Sequence, residues 1–287
     1  MREKQDQIFS RPICDIIRQR TSVRTYISKS IAKEMEEELI TFIDNLRGPF
    51  SGKVRFKLIN SKTISTNSNI KLGTYGVIKG ASLFVAAAVE KGDRAMEELG
   101  YEFEKFILYA TSLGLGTCWL GGTFKKGEFA KAIALAEEEL LPIVTPIGYA
   151  SEKSSFVDSV LKFASGSKNR KSWEELFYNE SFNNPLSKEC AGDYFMPLEM
   201  LRLAPSASNK QPWRIIKDGN KFRFYLSPTK GYGRALGFDI QRIDMGIAMC
   251  HFELTAKELG LSGDWIVEEL ETKSHMNNEE YIVTWKI

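Results

Sequence analysis

The spacing of apolar residues along the chain predicts a mixture of helices and strands. Apolar residues that recur every three or four positions indicate amphipathic helices, whereas short apolar or alternating runs indicate strands. The predicted helices cover residues 11–19, 32–46, 94–113, 126–138, 194–203 and 240–259. The predicted strands cover residues 54–60, 82–89, 142–149, 213–217, 222–226, 264–270 and 280–286. The stretch 150–192 is mostly polar and irregular around one Trp-centred helix start at 172–176, and we interpret it as a connection between two halves.

Two parts of the chain resemble each other. Residues 106–119 (FILYATSLGLGTCW) and 252–265 (FELTAKELGLSGDW) are identical at seven of fourteen positions. Both are typical of an amphipathic helix that ends at Leu-Gly-Leu, with the glycine as a C-cap. A weaker match aligns 42–59 with 200–216 without gaps, so that Leu46 corresponds to Leu203. We therefore predict a duplicated architecture, with a first half over residues 1–182 and a second, shorter half over 183–287.

Composition and charge argue against several classes of protein. The chain has 39 basic and 37 acidic residues, and a formal net charge of +2 does not suggest a nucleic-acid binder. The longest apolar runs, 81–89 and 132–136, fall well short of the roughly 20 residues that span a bilayer. No apolar segment follows the polar N-terminus, and the four scattered cysteines form no CxxC pair. These features favour a cytoplasmic protein with reduced thiols over a secreted one.

Familiar catalytic motifs are missing from the sequence. The chain has two histidines, at 251 and 275, which argues against a histidine-dependent triad or a zinc site of several imidazoles. The segment 48–53 has three residues between its glycines where a Walker loop needs four, and Val54 replaces the Ser or Thr that would hold magnesium. The Gly-Leu-Gly at 114–116 follows a predicted helix rather than a strand and lacks the third glycine of a dinucleotide fingerprint.

Four segments together resemble the FMN-dependent nitroreductase family, in the form in which both subunits of the usual dimer are fused in one chain. They are residues 16–26 (IIRQRTSVRTY), 113–122 (LGLGTCWLGG), 204–213 (APSASNKQPW), and 146–149 (PIGY) with 168–176 (KNRKSWEEL). The 204–213 and 113–122 segments are the most specific, and 16–26 resembles the family's N-terminal Arg-Arg-Ser-x-Arg element. The segments are spread over most of the chain but cover a minority of its residues.

The order of these segments departs from the family pattern. In ordinary members the Pro-Ser-x-x-Asn-x-Gln-Pro-Trp element follows soon after the Arg-x-Ser element. Here that place is taken by residues 48–56, which lack the Ser, Asn and Gln-Pro of the motif. The resemblance implies that the first half supplies phosphate and ring-edge contacts, whereas the second half donates the loop that a partner subunit donates in the family's dimers. One flavin site per chain is expected, and its pseudo-symmetric counterpart should be degenerate.

The resemblance also assigns candidate FMN-binding residues. They are Arg20, Thr21, Ser22, Arg24, Leu120, Gly121 and Gly122 in the first half, followed by Lys168, Arg170, Pro205, Ser206, Ala207 and Asn209. Two guanidiniums and nearby hydroxyls can surround a phosphate with charge-assisted hydrogen bonds. Arg20 and Ser22 would take that role, Lys168 and Arg170 would complete the phosphate site with Lys171 as a competitor, and Arg24 would lie near the flavin pyrimidine.

Backbone groups and the second-half loop would contact the ring itself. Gly121 and Gly122 would present N–H groups to flavin N5 and O4, since glycine allows close approach of the backbone. The loop at 205–209 would pack and hydrogen-bond against the ring, with the Gln-Pro-Trp at 211–213 ordering it and starting a strand. Plainer interpretations stay open: a capped surface turn at 20–24, a solvated basic run at 168–171, and a flexible loop at 121–122. Cys118 is expected to be a small apolar residue rather than a redox thiol.

The resemblance therefore implies an α+β, nitroreductase-like (FMN-dependent) fold in which two related halves pack as an internal pseudo-dimer. The expected reaction is two-electron, ping-pong hydride transfer from NADH or NADPH, through FMN, to a nitroaromatic, quinone or related small-molecule acceptor. The alternatives are a flavin-binding protein without turnover, a same-fold enzyme that fragments flavin or dehalogenates its substrate, and a degenerate interaction module. No metal, nucleic-acid or membrane partner is expected, and further self-association of the monomer is left open.

Overall fold

The protein has an α+β architecture, as the family resemblance implies, and it contains the mixture of helices and strands that the apolar spacing predicts. The computed structural model describes residues 8–68, 70–152, 169–269 and 278–287. In these ranges the helices are α1 (Ile13–Gln19), α2 (Lys33–Asp44), α3 (Ser61–Ser68), α4 (Ala95–Ser112), α5 (Lys126–Ile133), α6 (Lys188–Ala191), α7 (Phe195–Arg202) and α8 (Ile240–Glu258). The strands are β1 (Val54–Asn60), β2 (Leu83–Glu90), β3 (Gly116–Thr117), β4 (Glu139–Gly148), β5 (Phe177–Asn179), β6 (Trp213–Asp218), β7 (Lys221–Leu226), β8 (Asp264–Ile266) and β9 (Glu280–Lys286).

The strands form two sheets with a common strand order. The four-stranded sheet has the order β1-β2-β4-β3, and the five-stranded sheet has the order β5-β6-β7-β9-β8. Without β5, which pairs in parallel with β6, the second order repeats the first strand for strand. The chain order of these elements is also the same. Leaving β5 aside, two strands of each sheet precede a long helix and two follow it, and that helix is α4 for the first sheet and α8 for the second. The two halves of the chain therefore share one topology.

The long helices α4 and α8 end in the same way. Gly114 (φ +77°) and Gly260 (φ +74°) both adopt the left-handed conformation that the Leu-Gly-Leu pattern predicts for a C-cap. In each helix the next leucine donates its N–H to the alanine carbonyl five residues earlier, at 2.9 Å in both cases. This 6→1 bond is the signature of a Schellman motif, so the repeated sequence gives a repeated local structure.

The chain folds into two compact units, of which the first comprises Met1–Leu46, Arg55–Ala88 and Lys105–Ser159. Its core lies between the four-stranded sheet and α5. Phe129 of α5 packs edge-on against Phe84 and Phe124, with 5.4 Å between ring centroids in both pairs. Cys118 is buried in the same cluster, which agrees with its expected role as a small apolar residue.

The second unit comprises Arg47–Val54, Val89–Glu104 and Val160–Ile287. Its core is a group of aromatic rings between α8 and the five-stranded sheet. Phe252 of α8 is central, since its ring neighbours those of Tyr194, Phe222, Phe224, Trp265 and Trp285. All but Trp265 of these rings are at least nine-tenths buried, so this cluster anchors α8 to the sheet.

Within the second unit, the first half of α4 crosses α8 at two glycines. A Cβ on Gly100 would lie 2.1 Å from the carbonyl oxygen of Ile243, and a Cβ on Gly246 would lie 2.0 Å from that of Glu97. The backbones can approach so closely only because neither residue has a side chain. Gly100 and Gly246 are 146 residues apart, as are Glu97 and Ile243, which is the offset of the predicted repeat. The crossing is therefore symmetrical with respect to the two halves.

Several element boundaries differ from the predicted ones. Helix α5 ends at Ile133 instead of 138, because Ala134 is left-handed (φ +50°) and the Glu139 carboxylate takes a hydrogen bond from the Ala136 N–H. Strand β4 consequently begins at Glu139, three residues before its predicted start. The predicted helix start at 172–176 is a single turn that leads into β5. The apolar pattern does not predict α3, α6, β3 or β5.

No helix in the described ranges is long and apolar enough to cross a membrane. The predicted boundary between the halves at residue 182 stays a prediction, as does their packing as an internal pseudo-dimer.

Candidate functional site

The loop between α7 and β6, residues 203–212, has an unusual backbone. Ser208 (φ +47°), Asn209 (φ +54°) and Gln211 (φ +49°) are all left-handed although none is glycine. Asn tolerates this region, but Ser and Gln adopt it rarely, and each such residue costs on the order of 1 kcal/mol or more. A conformation of this kind persists only where neighbouring groups hold it. The contacts of the loop are therefore informative.

Arg170 holds the loop at two points. Its Nη1 donates to Oδ1 of Asn209 at 2.6 Å, and its Nη2 donates to the carbonyl of Leu203 at 2.9 Å. The amide of Asn209 in turn donates to the carbonyl of Asn169 at 2.7 Å. Arg170 thus contacts a loop residue with which sequence reasoning grouped it, and the observed bonds give it an ordering role. Its predicted contact with phosphate stays a prediction.

Gln211 fastens the other end of the loop. Its side-chain oxygen accepts the N–H of Lys171 at 2.8 Å, and its own N–H donates to Oγ of Ser206 at 2.9 Å. This agrees with the expectation that the Gln-Pro-Trp segment orders the loop, and Trp213 begins β6 as predicted. The Ser206 hydroxyl accepts one bond here and keeps its own hydrogen for donation to another group.

Asp244 of α8 provides a support that sequence reasoning missed. The N–H of Ala207 donates to its Oδ1 at 2.9 Å, and the side chain is 2% exposed. Its Oδ2 is buried without a hydrogen-bond partner among the described residues. Burial raises the pKa of the Asp244 carboxyl well above its usual range. A signal was present in the sequence, since Asp244 is an acidic residue within the apolar stretch of a predicted helix.

Positive charge gathers around the same loop. The pKa of the Lys171 ammonium is lowered, first by burial and second by the positive charge of Arg214. The guanidinium of Arg214 donates to the carbonyls of Gln211 and Trp213, at 3.1 and 2.6 Å. Cations that destabilise one another in a partly buried place favour the binding of an anion there.

In the first unit, the segment at 20–24 follows α1 and pairs with β3. The N–H of Arg20 donates to the carbonyl of Ile16 at 2.9 Å, which ends the helix. The N–H of Val23 donates to the carbonyl of Thr117 at 2.8 Å, and Ser22 is the bridge partner of Thr117. Ser22 is half-buried, as are the two arginines of this segment, whereas Thr21 is exposed.

The predicted ring-edge residues lie in the same unit, close to that segment. Leu120 is buried and forms a reciprocal backbone pair with Val144, with N···O distances of 3.0 and 3.1 Å. Gly121 is half-buried and Gly122 is exposed. Since Thr117 pairs with the 20–24 segment three residues before Leu120, the fold brings these two predicted groups to one part of the four-stranded sheet.

The remaining predicted residues have different outcomes. The second unit contains both Arg170 and the loop that it holds, and that loop includes Pro205, Ser206, Ala207 and Asn209. Lys168 lies outside the described residues. The expectation that the 20–24 segment and the 205–209 loop bind the same flavin stays a prediction.

One family model and one solved structure match this chain over most of its length, and other solved structures match about half of it. The family described as "Putative TM nitroreductase" matches residues 12–256. A structure titled as a putative nitroreductase from Thermotoga maritima is 19% identical, covers 100% of this chain and 98% of its own, and has a TM-score of 0.62. An FMN-dependent nitroreductase from Clostridium difficile R20291 is 21% identical, over 52% of this chain and 94% of its own, with a TM-score of 0.38. A structure titled "Putative NADH dehydrogenase/NAD(P)H nitroreductase", from Bacteroides thetaiotaomicron, is 20% identical over 50% of this chain and 89% of its own, with a TM-score of 0.41. None of the curated proteins is significantly similar to this chain.

Proposed function

This chain belongs to the family described as "Putative TM nitroreductase", and we propose that it is an FMN-dependent oxidoreductase that moves two electrons, as hydride, from NADH or NADPH to a small-molecule acceptor. Nitroaromatics and quinones are the acceptor classes that we propose. The full-length likeness to the Thermotoga maritima structure confirms the predicted nitroreductase-type fold. The observation that carries the proposal is the 203–212 loop, because it bears the family's Pro-Ser-x-x-Asn motif and is held in a strained conformation by Arg170 and Asp244.

The donors on both units suit a flavin mononucleotide. In the first unit, two guanidiniums and the Ser22 hydroxyl lie along one short segment, and the Thr25 hydroxyl beside them is buried without a partner among the described residues. In the second unit, the Ser206 hydroxyl and the positive charge around Lys171 offer hydrogen bonds and a favourable potential for an anion. A phosphate and the polar edge of a flavin need these kinds of groups.

Bound FMN would supply the hydride chemistry, so the chain needs to bind and orient it rather than to provide an acid or a base. We assign the phosphate to Arg20 and Ser22, assisted by Thr21, Lys168 and Arg170. The positive charge of Arg24 would stabilise negative charge on the reduced ring. The backbone N–H groups of Gly121 and Gly122 would act as fixed dipoles toward N5 and O4. The 205–209 loop would cover the ring from the other side.

The first test is flavin binding by the full-length protein. Purified protein should show flavin absorption bands, or gain them on titration with FMN, at a stoichiometry of one FMN per chain. Protein that binds no FMN would refute the proposal. Steady oxidation of NADH or NADPH in the presence of a quinone or nitroaromatic acceptor is the second expectation. Bound FMN without that oxidation would instead favour a flavin-binding protein without turnover.

A matched pair of variants tests the assignment of the phosphate. Arg20→Ala should raise the FMN dissociation constant by about tenfold to a hundredfold, since a hydrogen bond to a charged group contributes about 1.5–3 kcal/mol. Arg18→Ala, two residues earlier and solvent-exposed, should leave the constant unchanged and serves as the control. Equal effects of the two substitutions would exclude a specific role for Arg20. If Arg20 and Asn209 bind one flavin, the double variant should depart from additivity.

The cellular setting is proposed on the same terms. We place the protein in the cytoplasm, where the exposed Cys190 thiol would stay reduced. The pseudo-dimer hypothesis predicts a monomer that is active alone, which size-exclusion chromatography of the active fraction would test.

A further inference from the structure

We propose that Asp244 is a positioning residue for the flavin-binding loop: its Oδ1 fixes the Ala207 N–H and so holds the 205–209 segment in the conformation that receives the flavin. This inference rests on the proposed function. Asp244 lies on α8, a rigid helix packed within the second unit, whereas the 203–212 loop, which includes the 205–209 segment, contains three left-handed residues. A rigid acceptor on a neighbouring helix is the kind of external hold that a strained loop requires.

The repeat provides independent support for this role. With the offset of 146 that aligns the long helices, Asp244 corresponds to Glu98; with the offset of 157 that aligns Leu46 with Leu203, Ala207 corresponds to Phe50. The N–H of Phe50 donates to Oε2 of Glu98 at 2.6 Å, just as the N–H of Ala207 donates to Asp244. Two alignments made from different parts of the sequence therefore relate both partners of the Ala207–Asp244 bond to both partners of the Phe50–Glu98 bond. An acid on the long helix holds the loop before the sheet in both halves.

The length of each acidic side chain matches the size of the residues in the loop that it holds. In the first half, Gly48 and Gly52 lie against the longer Glu98, since a Cβ on either would be within 3.0 Å of its side chain. The corresponding positions in the second half hold Pro205 and Asn209, both larger than glycine. Aspartate is one methylene shorter than glutamate, so the loop beside it can carry the motif residues. Glu98 and its loop thus keep the bond but lack the motif, which makes them a natural control.

Asp244 is buried, and its second oxygen has no hydrogen-bond partner among the described residues, so what the loop takes from it is a hydrogen-bond acceptor. Three substitutions separate the possible roles. Asp244→Asn keeps an acceptor oxygen on a side chain of the same size, Asp244→Ala removes the acceptor, and Asp244→Glu keeps the acid but lengthens the side chain by one methylene. Glu98→Ala makes the change that matches Asp244→Ala in the half without the motif.

The experiment measures the dissociation constant of FMN for each variant by titration of flavin-free protein, together with amide hydrogen exchange over residues 203–212 without flavin. Asp244→Asn should bind FMN within about twofold of the wild type. Asp244→Ala should bind about tenfold more weakly, the upper end of what one neutral hydrogen bond contributes, because less of the free protein holds a competent loop. Asp244→Glu should bind at least as weakly as Asp244→Ala. Glu98→Ala should bind FMN like the wild type.

Three results would overturn the inference. One is wild-type affinity and unchanged exchange in Asp244→Ala. Another is an equal loss in Asp244→Asn and Asp244→Ala, which would show that a charge is needed rather than an acceptor. The third is a loss of FMN affinity in Glu98→Ala equal to that in Asp244→Ala, which would make the effect a general one on the fold. If the wild-type protein binds no FMN, the proposed function fails, whereas faster exchange of the loop in Asp244→Ala would still support the hold on Ala207.

Discussion

The glycine crossing of α4 and α8 makes a quantitative prediction about stability. Gly246→Ala places a Cβ 2.0 Å from the carbonyl oxygen of Glu97 and 2.7 Å from the N–H nitrogen of Tyr101. Ordinary contact needs about 3.5 Å, so the helices would have to separate by about 1.5 Å. Both contacting atoms belong to the backbone, and no side-chain rotation can relieve the overlap.

Two opposing contributions set the size of the effect. Alanine is favoured over glycine in a helix interior by about 1 kcal/mol, which would stabilise the variant. Overpacking costs about 1–3 kcal/mol, and a clash between backbones should reach the upper end or beyond. Separation would also weaken the ion pair between Arg242 and the buried carboxylate of Glu97, whose atoms are 2.6 Å apart. We expect the free energy of unfolding to fall by about 2 kcal/mol or more.

Urea unfolding followed by both tryptophan fluorescence and far-UV circular dichroism is the appropriate assay, since coincident transitions justify a two-state free energy. Gly127→Ala in α5 is the control, because a Cβ there meets nothing within 4 Å. That variant should be as stable as the wild type or gain up to about 1 kcal/mol. Gly100→Ala should resemble Gly246→Ala, because its Cβ would meet the Ile243 backbone at 2.1 Å. A Gly246→Ala protein as stable as the Gly127→Ala control would refute the reasoning.

Three further expectations concern buried and paired charges. Burial raises the pKa of Glu98 to about 8 from an ordinary 4.5, so the folded protein holds a proton that the unfolded chain releases, and stability should fall as pH rises from about 4.5 to 8. Glu98→Gln should lose less stability than the wild type between pH 5 and pH 8.5 in urea unfolding, and parallel profiles would contradict this. His251→Ala should destabilise by about 3 kcal/mol or more, because His251 is fully buried and its Nε2 lies 2.9 Å from Oε1 of the buried Glu104; a thermal midpoint unchanged from the wild type would contradict it. Arg55→Lys should lower the free energy of unfolding by about 1 kcal/mol, because lysine cannot reproduce the two bonds from Arg55 to Glu139, at 2.8 and 2.5 Å. If Arg55→Lys and Arg55→Ala both lowered it by less than about 0.3 kcal/mol, the pair would be unimportant for stability.

Much of the fold was predictable because its elements bury apolar residues in a regular pattern. Strand β2 and the helices α4 and α8 have long apolar patterns, and both helices are followed by a C-capping glycine, so their limits fall within two residues of the predicted ones. Helix α3 has no buried residue, and it begins where the Asn60 side chain accepts the N–H groups of Lys62 and Thr63. Strands β3 and β5 are two and three residues long and depend on pairing with distant strands. A pattern based on local burial has nothing to detect in these cases.

The candidate site was predictable only in part, for a similar reason. The family resemblance identifies the 205–209 loop and Arg170 from separate segments, and the structure joins them through Asn209. The left-handed backbone at Ser208 and Gln211 could not be predicted, since those residues rarely adopt it. Asp244 was missed because its role follows from a contact across 37 residues. Its acidic side chain within an apolar helical stretch was one signal, and the internal repeat, extended from Phe252 back to Asp244, was a second.

The comparison of Glu98 with Asp244 gives a physical reason for expecting one flavin site in a chain of two related halves. Both acids hold the backbone of the loop before the sheet, so the scaffold of the two loops is the same. The first-half loop lies close around Glu98, whose neighbours at 48 and 52 can only be glycine without a displacement of that side chain. To restore the motif there, Pro and Asn would have to enter space that the glutamate occupies. Shortening the acid by Glu98→Asp is therefore a precondition for a second site, and placing the motif residues at 48 and 52 without that change should destabilise the fold instead of adding a flavin.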